Sequence, residues 1–146
     1  MGDVRDLRSA ASLRRRRGPV VADQVVLPPA TTSPRVARHW VMHRVAAAGV
    51  HGVANQYAEL LTGEVVANAV VHGPPEGSVL VELSLDATSL RVSVTDEGHG
   101  HPVPQHPEPT ATSGRGLAIV EALSTAWGTN TASSGGTTVW FELEID

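Results

Sequence analysis

Residues 64–73 read Glu64-Val65-Val66-Ala67-Asn68-Ala69-Val70-Val71-His72-Gly73, with a carboxylate, an amide and an imidazole at every fourth position among Val and Ala. On an α-helix that spacing stacks the three polar groups along one slowly drifting stripe. The rest of the segment is apolar enough to be buried. Polar groups in such a setting must be paired or must meet a ligand. Glu64 can take a proton, and Asn68 can offer a neutral oxygen to a hard cation such as Mg²⁺. The stripe is a candidate site for nucleotide-phosphate chemistry.

Composition narrows the chemistry. The 146 residues are enough for one domain with a real core. There is no Cys, which excludes thiol catalysis, disulfides and Cys-ligated zinc. There is no Lys either; all 11 basic residues are Arg. That removes the P-loop, the eukaryotic-type protein kinase and Schiff-base chemistry, each of which needs a lysine. No apolar run approaches the ~20 residues of a membrane span, and no apolar stretch follows the first arginines as in a secretory signal. The expectation is a cytoplasmic protein.

Charge is uneven. Residues 1–17 carry six Arg against Asp3 and Asp6, or +4; the remainder carries five Arg and thirteen acids, or −8, matching the total of −4. Residues 1–18 are expected to be a disordered arginine-rich tail, and 19–146 the folded domain. The run Arg14-Arg15-Arg16-Arg17 could touch an acidic partner. The acidic body argues against nucleic acid as the main partner, since phosphate contacts need a basic face.

Along the chain, Val20 to Leu27 reads as a first strand stopped by Pro28-Pro29. Ser33-Pro34 reads as a helix start, with Ser as N-cap and Pro in the first turn. That helix would run to about Ala48 and end at Gly49. A second helix is expected from Val53 to His72. Strict alternation follows: Val79, Val81, Leu83 and Leu85, then Leu90, Val92 and Val94, with Asp96 next in phase. A carboxylate thus lies on the apolar side of the sheet at a strand end, where the choice is between a turn cap and a ligand. Residues 97–113 read as a Pro- and His-rich loop holding His99, His101 and His106. A helix from Leu117 to Ser124 is opened by Ser113-Gly114-Arg115-Gly116. A short strand near Trp127 to Thr131 and a longer one from Thr137 to Ile145 close the chain. Hairpins without βαβ alternation predict an α+β two-layer sandwich, with a mixed, mostly antiparallel sheet and helices on one face.

Four motifs follow one another in order: Glu64-x-x-x-Asn68-Ala69-x-x-His72; Asp96-Glu97-Gly98-His99-Gly100; Gly114-Arg115-Gly116-Leu117; and Gly135-Gly136-Thr137. Each alone is weak. Together they resemble the N, G1, G2 and G3 boxes of the GHKL ATPase superfamily, and most closely its short branch, the bacterial anti-sigma factor serine/threonine kinases. The resemblance covers about residues 20–145 and implies the Bergerat, histidine-kinase-like ATPase fold.

It implies ATP and Mg²⁺ as cofactors. Asp96 would bind the amino group of adenine, with Gly98, Gly100 and Thr137 beside the base. Gly114, Arg115, Gly116 and Leu117 would line the phosphates, where a helix N-terminus favours anions. Arg115 could add a charge-assisted contact or be a solvated surface residue. Asn68 would hold the metal. Glu64 would be the general base for a serine or threonine hydroxyl. His72 is either a phosphate neighbour or a hydrogen-bonding residue at the helix end. The three loop histidines read as solvated rather than as a zinc site. Implied partners are a sigma factor and an anti-anti-sigma protein that accepts the phosphoryl group; family members also often dimerise. The alternative is an ATP-binding module that regulates only by sequestering a partner, which the Pro-rich 97–113 segment would favour. A histidine kinase is disfavoured, because only about 30 residues precede the first helix and leave no room for a phospho-accepting helix pair.

Overall fold

The computed structural model describes residues 21–98, 112–131 and 135–145, with the backbone alone for 112–115. The expected arginine-rich tail lies outside the described residues. The elements run β1 (Val21–Leu27), α1 (Ser33–Ala47), α2 (Val53–His72), β2 (Val79–Leu85), β3 (Ser89–Asp96), α3 (Thr112–Leu123), β4 (Ala126–Thr131) and β5 (Thr137–Glu144).

The five strands form one sheet in the order β1-β2-β3-β5-β4. Every pairing is antiparallel, so the parallel component allowed for by a mixed sheet is absent among the described strands. The reason is connectivity: β2 returns to β3 through a tight turn at Asp86, whose Oδ1 accepts the Thr88 and Ser89 amides. The α3–β4 unit then delivers the chain to an outer edge, from which β5 folds back between β3 and β4. The fold is α+β, two layers, as the alternation predicted.

Period-2 patterning decides which sheet face is covered. Val79, Val81, Leu83, Leu85, Leu90, Val92, Val94, Val139, Phe141 and Leu143 are all buried on one face. Leu61, Val65, Val66 and Ala69 of α2 and Val41 and Val45 of α1 join them in a single core. Phe141 is fully buried at its centre, a burial worth about 1.5–3 kcal/mol. The other face is mostly polar, with Val26, Leu80 and Trp140 among its side chains. There Arg91 bonds Glu142 at 3.1 Å and lies 4.1 Å over the Trp140 ring, and the Thr95 and Thr138 hydroxyls meet at 2.7 Å.

Two helix ends differ from expectation. Ser33 is not the N-cap of α1: Thr32 holds that position without a side-chain bond, and the Ser33 hydroxyl donates to the Pro28 carbonyl at 2.5 Å. The bend after Pro28-Pro29 brings that acceptor within reach, so Ser33 fastens β1 to α1 instead. The third helix begins at Thr112, five residues before the expected Leu117. Its glycines were read as pre-helical, yet they lie inside the first turns because one of them must pack closely on α2.

The end of α1 follows the sequence. Gly49 has φ +91, and the Gly49 and Val50 amides bond the carbonyls of Ala46 and Val45. This is the Schellman pattern that a positive-φ glycine allows.

Candidate nucleotide site

Helix α2 holds the stripe, and its own sequence explains its length. It is apolar on nearly every side, so three neighbours share it: α1, α3 and the sheet. It stops at Gly73 because Pro74 and Pro75 cannot continue a helix, and the Gly73 amide makes the last bond, to the Ala69 carbonyl at 2.8 Å. Leu61, Val65 and Ala69 face the core, which leaves Glu64 and Asn68 half-buried on the adjacent flank and His72 exposed at the end.

At the same end of the sheet, Asp96 closes β3. It is 7% exposed and sits opposite Thr137 of β5 in the strand register. Its Oδ1 accepts the Gly98 amide at 2.7 Å. Nothing among the described residues pairs with its Oδ2. The side-chain atoms fully buried without a partner among the described residues are Asn55 Oδ1 and Thr62 Oγ1, so Asp96 Oδ2 carries no penalty of that kind. The turn-cap reading of Asp96 is seen in its Oδ1 bond to the Gly98 amide.

Glycines make the close approach possible. A Cβ on Gly73 would fall 2.8 Å from the Ala69 carbonyl oxygen and 3.2 Å from the Asp96 Cβ. One on Gly136 would fall 2.5 Å from the Asp96 carbonyl oxygen. One on Gly98 would meet Asp96 Oδ1 at 2.9 Å and the His72 carbonyl oxygen at 3.3 Å. Gly98 is thus required by the chain's own packing, not only by a planar ligand.

The third helix reaches the stripe through Gly116. A Cβ there would stand 3.0 Å from Glu64 Oε2 and 3.5 Å from the Glu64 Cβ. The structure therefore brings Glu64 against Gly116, Asp96 against Thr137, and Gly98 against the His72–Gly73 end of α2. Gly114 falls in the first turn of α3, whose amides lack intrahelical carbonyls. Gly116 lies beyond that turn, so the expectation of a free amide there is corrected: its contribution is close packing. Leu117 is half-buried against the core. Gly100 and the histidines at 99, 101 and 106 lie outside the described residues, as does the side chain of Arg115.

Sequence reasoning quoted Gly73, Glu97 and Gly136 but gave them no role in the site. Glu97 Oε2 accepts the Ser78 amide at 2.5 Å, tying the 73–78 loop to the end of β3. The signal for Gly73 was hidden, because Gly-Pro-Pro reads as a plain helix stop. A cleft of about 540 Å³ lies elsewhere. It lies at the opposite sheet end between Tyr57, Leu123, Leu143 and Ile145 and holds none of these polar groups.

Against that geometry, residues 27–143 match the family model of the histidine kinase-like ATPase domain. The chain belongs to the histidine kinase-like ATPase family. The matched span includes α2, the end of β3, α3 and Thr137, so every candidate site residue of this ATPase domain lies within it. Among solved structures, the ATPase domain is similar to the RsbU and RsbW domains of Rv1364c from Mycobacterium tuberculosis, at a TM-score of 0.68 and 25% identity. The likeness covers 88% of this chain and 34% of that one, so the domain spans about a third of that structure's length. No curated protein matches the sequence. The similarity supports the anti-sigma factor kinase branch that the four motifs resemble, and an ATP-binding regulator of that kind. No helix among the described residues is long and apolar enough to cross a membrane.

The residues present suit ATP and a cation carried by it. Asp96 Oδ2 has the chemistry to accept a hydrogen bond from an exocyclic amino group. Among the described residues no three His, Asp or Glu side chains converge on a metal position. A single amide oxygen on Asn68 is a donor set fitted to Mg²⁺, which keeps most of its ligands as water and phosphate.

Proposed function

We propose that this ATPase domain is a protein serine/threonine kinase acting as an anti-sigma factor. It would bind a sigma factor and phosphorylate a serine or threonine of an anti-anti-sigma protein. The observation that carries the reading is Asp96, buried, with Oδ1 fixed by Gly98 and Oδ2 open to a donor. Transfer forms a bond from the acceptor hydroxyl oxygen to the γ-phosphorus of ATP, breaks the γ-phosphorus bond to the bridging oxygen, and leaves ADP.

In this reading Glu64 takes the hydroxyl proton. Its carboxylate is half-buried and bounded on the α3 side by the Gly116 backbone, which limits where it can swing. Asn68, one turn further along α2, would hold Mg²⁺, which would supply charge neutralisation to the phosphates. The first-turn amides of α3, Gly114 among them, face anions favourably. Phosphoryl transfer is largely positioning and charge neutralisation. In a chain without lysine the cation, the backbone amides and Arg115 would share that load.

The test is incubation with labelled ATP, Mg²⁺ and candidate antagonist proteins. Glu64→Gln should keep ATP affinity and lower transfer by about 100-fold or more, the usual worth of a general base. Transfer at full rate by that variant removes Glu64 from the role. ATP binding with no transfer by the wild type to any antagonist replaces the kinase by ATP-dependent sequestration.

A further inference from the structure

Helix α1 carries Arg35, Arg38, His39, His43 and Arg44 and no acidic residue. Its core line is Ala37, Val41 and Val45, all fully buried. His39 and His43 each stand two residues from the buried positions on either side, about 200° round the helix. Both imidazoles therefore face away from the core, and both residues are exposed. They lie one turn apart, with ring centroids 6.5 Å from each other and ring planes inclined at 55°. Two of the neighbouring guanidinium groups are already paired, Arg38 with Glu59 at 3.2 Å and Arg44 with Asp23 at 3.3 Å. Neither histidine has a role in the nucleotide site described above.

Two histidines at i and i+4 offer two ring nitrogens to one point above a helix, the ligand pair of the H-E-x-x-H motif. A cation about 2.0–2.1 Å from one nitrogen of each ring would hold the centroids about 5 Å apart. The rings must then close by about 1.5 Å. Side-chain rotation supplies that, since neither ring belongs to the core cluster.

The donor set decides which cation fits. Neutral imidazole suits copper, nickel and zinc, whereas Mg²⁺ and Ca²⁺ need oxygen ligands. No carboxylate of α1 supplies them. Affinity for such a pair peaks at Cu²⁺ and falls at Zn²⁺. Two protein ligands are fewer than the three or four of catalytic and structural zinc sites, so water completes the shell. Trp40 stands where the H-E-x-x-H motif has its general base, so its position offers nothing to activate that water. Arg35, one turn before His39, is the remaining cationic neighbour on this face. Its charge is exposed and is screened within about 8 Å at physiological salt.

We propose that His39 and His43 form a binding site for a divalent late transition cation, Cu²⁺ ahead of Zn²⁺, which pins one turn of α1. The site stands apart from the nucleotide reading and does not depend on it.

The test is titration of the whole chain with Cu²⁺ alone, without nucleotide, followed by amide NMR. The amide signals of residues 35–47 should broaden below one equivalent. His39→Gln and His43→Gln should each raise the Cu²⁺ concentration needed for that broadening at least tenfold. Neither substitution removes core packing, so the metal-free melting temperature should hold. Zn²⁺ should slow hydrogen exchange of the α1 amides in the wild type and in neither variant. Mg²⁺ at the same concentration should produce no such protection. Broadening of α1 that persists in both variants overturns the proposal. So does broadening that leaves α1 untouched and falls instead near His99, His101 and His106, or protection of α1 by Mg²⁺ equal to that by Zn²⁺.

Discussion

The two ends of the sheet teach opposite lessons. At one end Asp96, Gly98, Gly73 and Gly136 are pressed together so tightly that a single added Cβ would collide. At the other, Tyr57, Leu143 and Ile145 line a cleft of about 540 Å³. The crowded end carries the carboxylate with an open oxygen; the roomy end carries only packing. Volume alone is therefore a poor guide to chemistry here. What marks the site is backbone brought close by glycine around a mostly buried carboxylate.

Substitutions at each end can break that contrast. Leu143→Ala, at the roomy end, should cost about 2–5 kcal/mol of stability and leave ATP affinity within twofold, by denaturant titration and calorimetry. A large fall in affinity would mean the ends are not separable. Gly136→Ala should cost about 1–3 kcal/mol through overpacking against the Asp96 carbonyl and weaken ATP by at least tenfold, since the strand end must shift. Asp96→Asn keeps an oxygen for the Gly98 amide, so it should change stability little. It should still weaken ATP by roughly tenfold, about 1.4 kcal/mol; unchanged affinity would dismiss Asp96 as a ligand. Arg91→Gln, on the open sheet face far from both ends, should cost no more than about 1 kcal/mol from a partly exposed ion pair and its ring contact. It should leave ATP binding untouched.

Much of this was legible in the chain. Alternation placed β2, β3 and β5 and the inward Asp96 because one face is buried and a one-residue slip would invert every side chain. The run from Val53 to Gly73 gave α2 to the residue, since its proline stop admits no alternative. The start of α3 was not legible. Gly114 and Gly116 look like loop residues by propensity, and only the distance to Glu64 reveals why a helix tolerates them. Gly136 and Gly73 were hidden for a similar reason: the atoms that forbid a side chain there belong to residues far along the sequence. Asn55 is another such case. Its Nδ2 donates to the Met42 and Val50 carbonyls, holding the α1–α2 turn, and no periodicity announces it.

Helix α3 meets Glu64 through Gly116 with main chain alone. A side chain at a contact can change rotamer and absorb a small displacement; a helical backbone has no such slack. Whatever moves α3 by a few tenths of an ångström moves the wall behind the Glu64 carboxylate by the same amount. The position of α3 and the reach of Glu64 thereby become one variable.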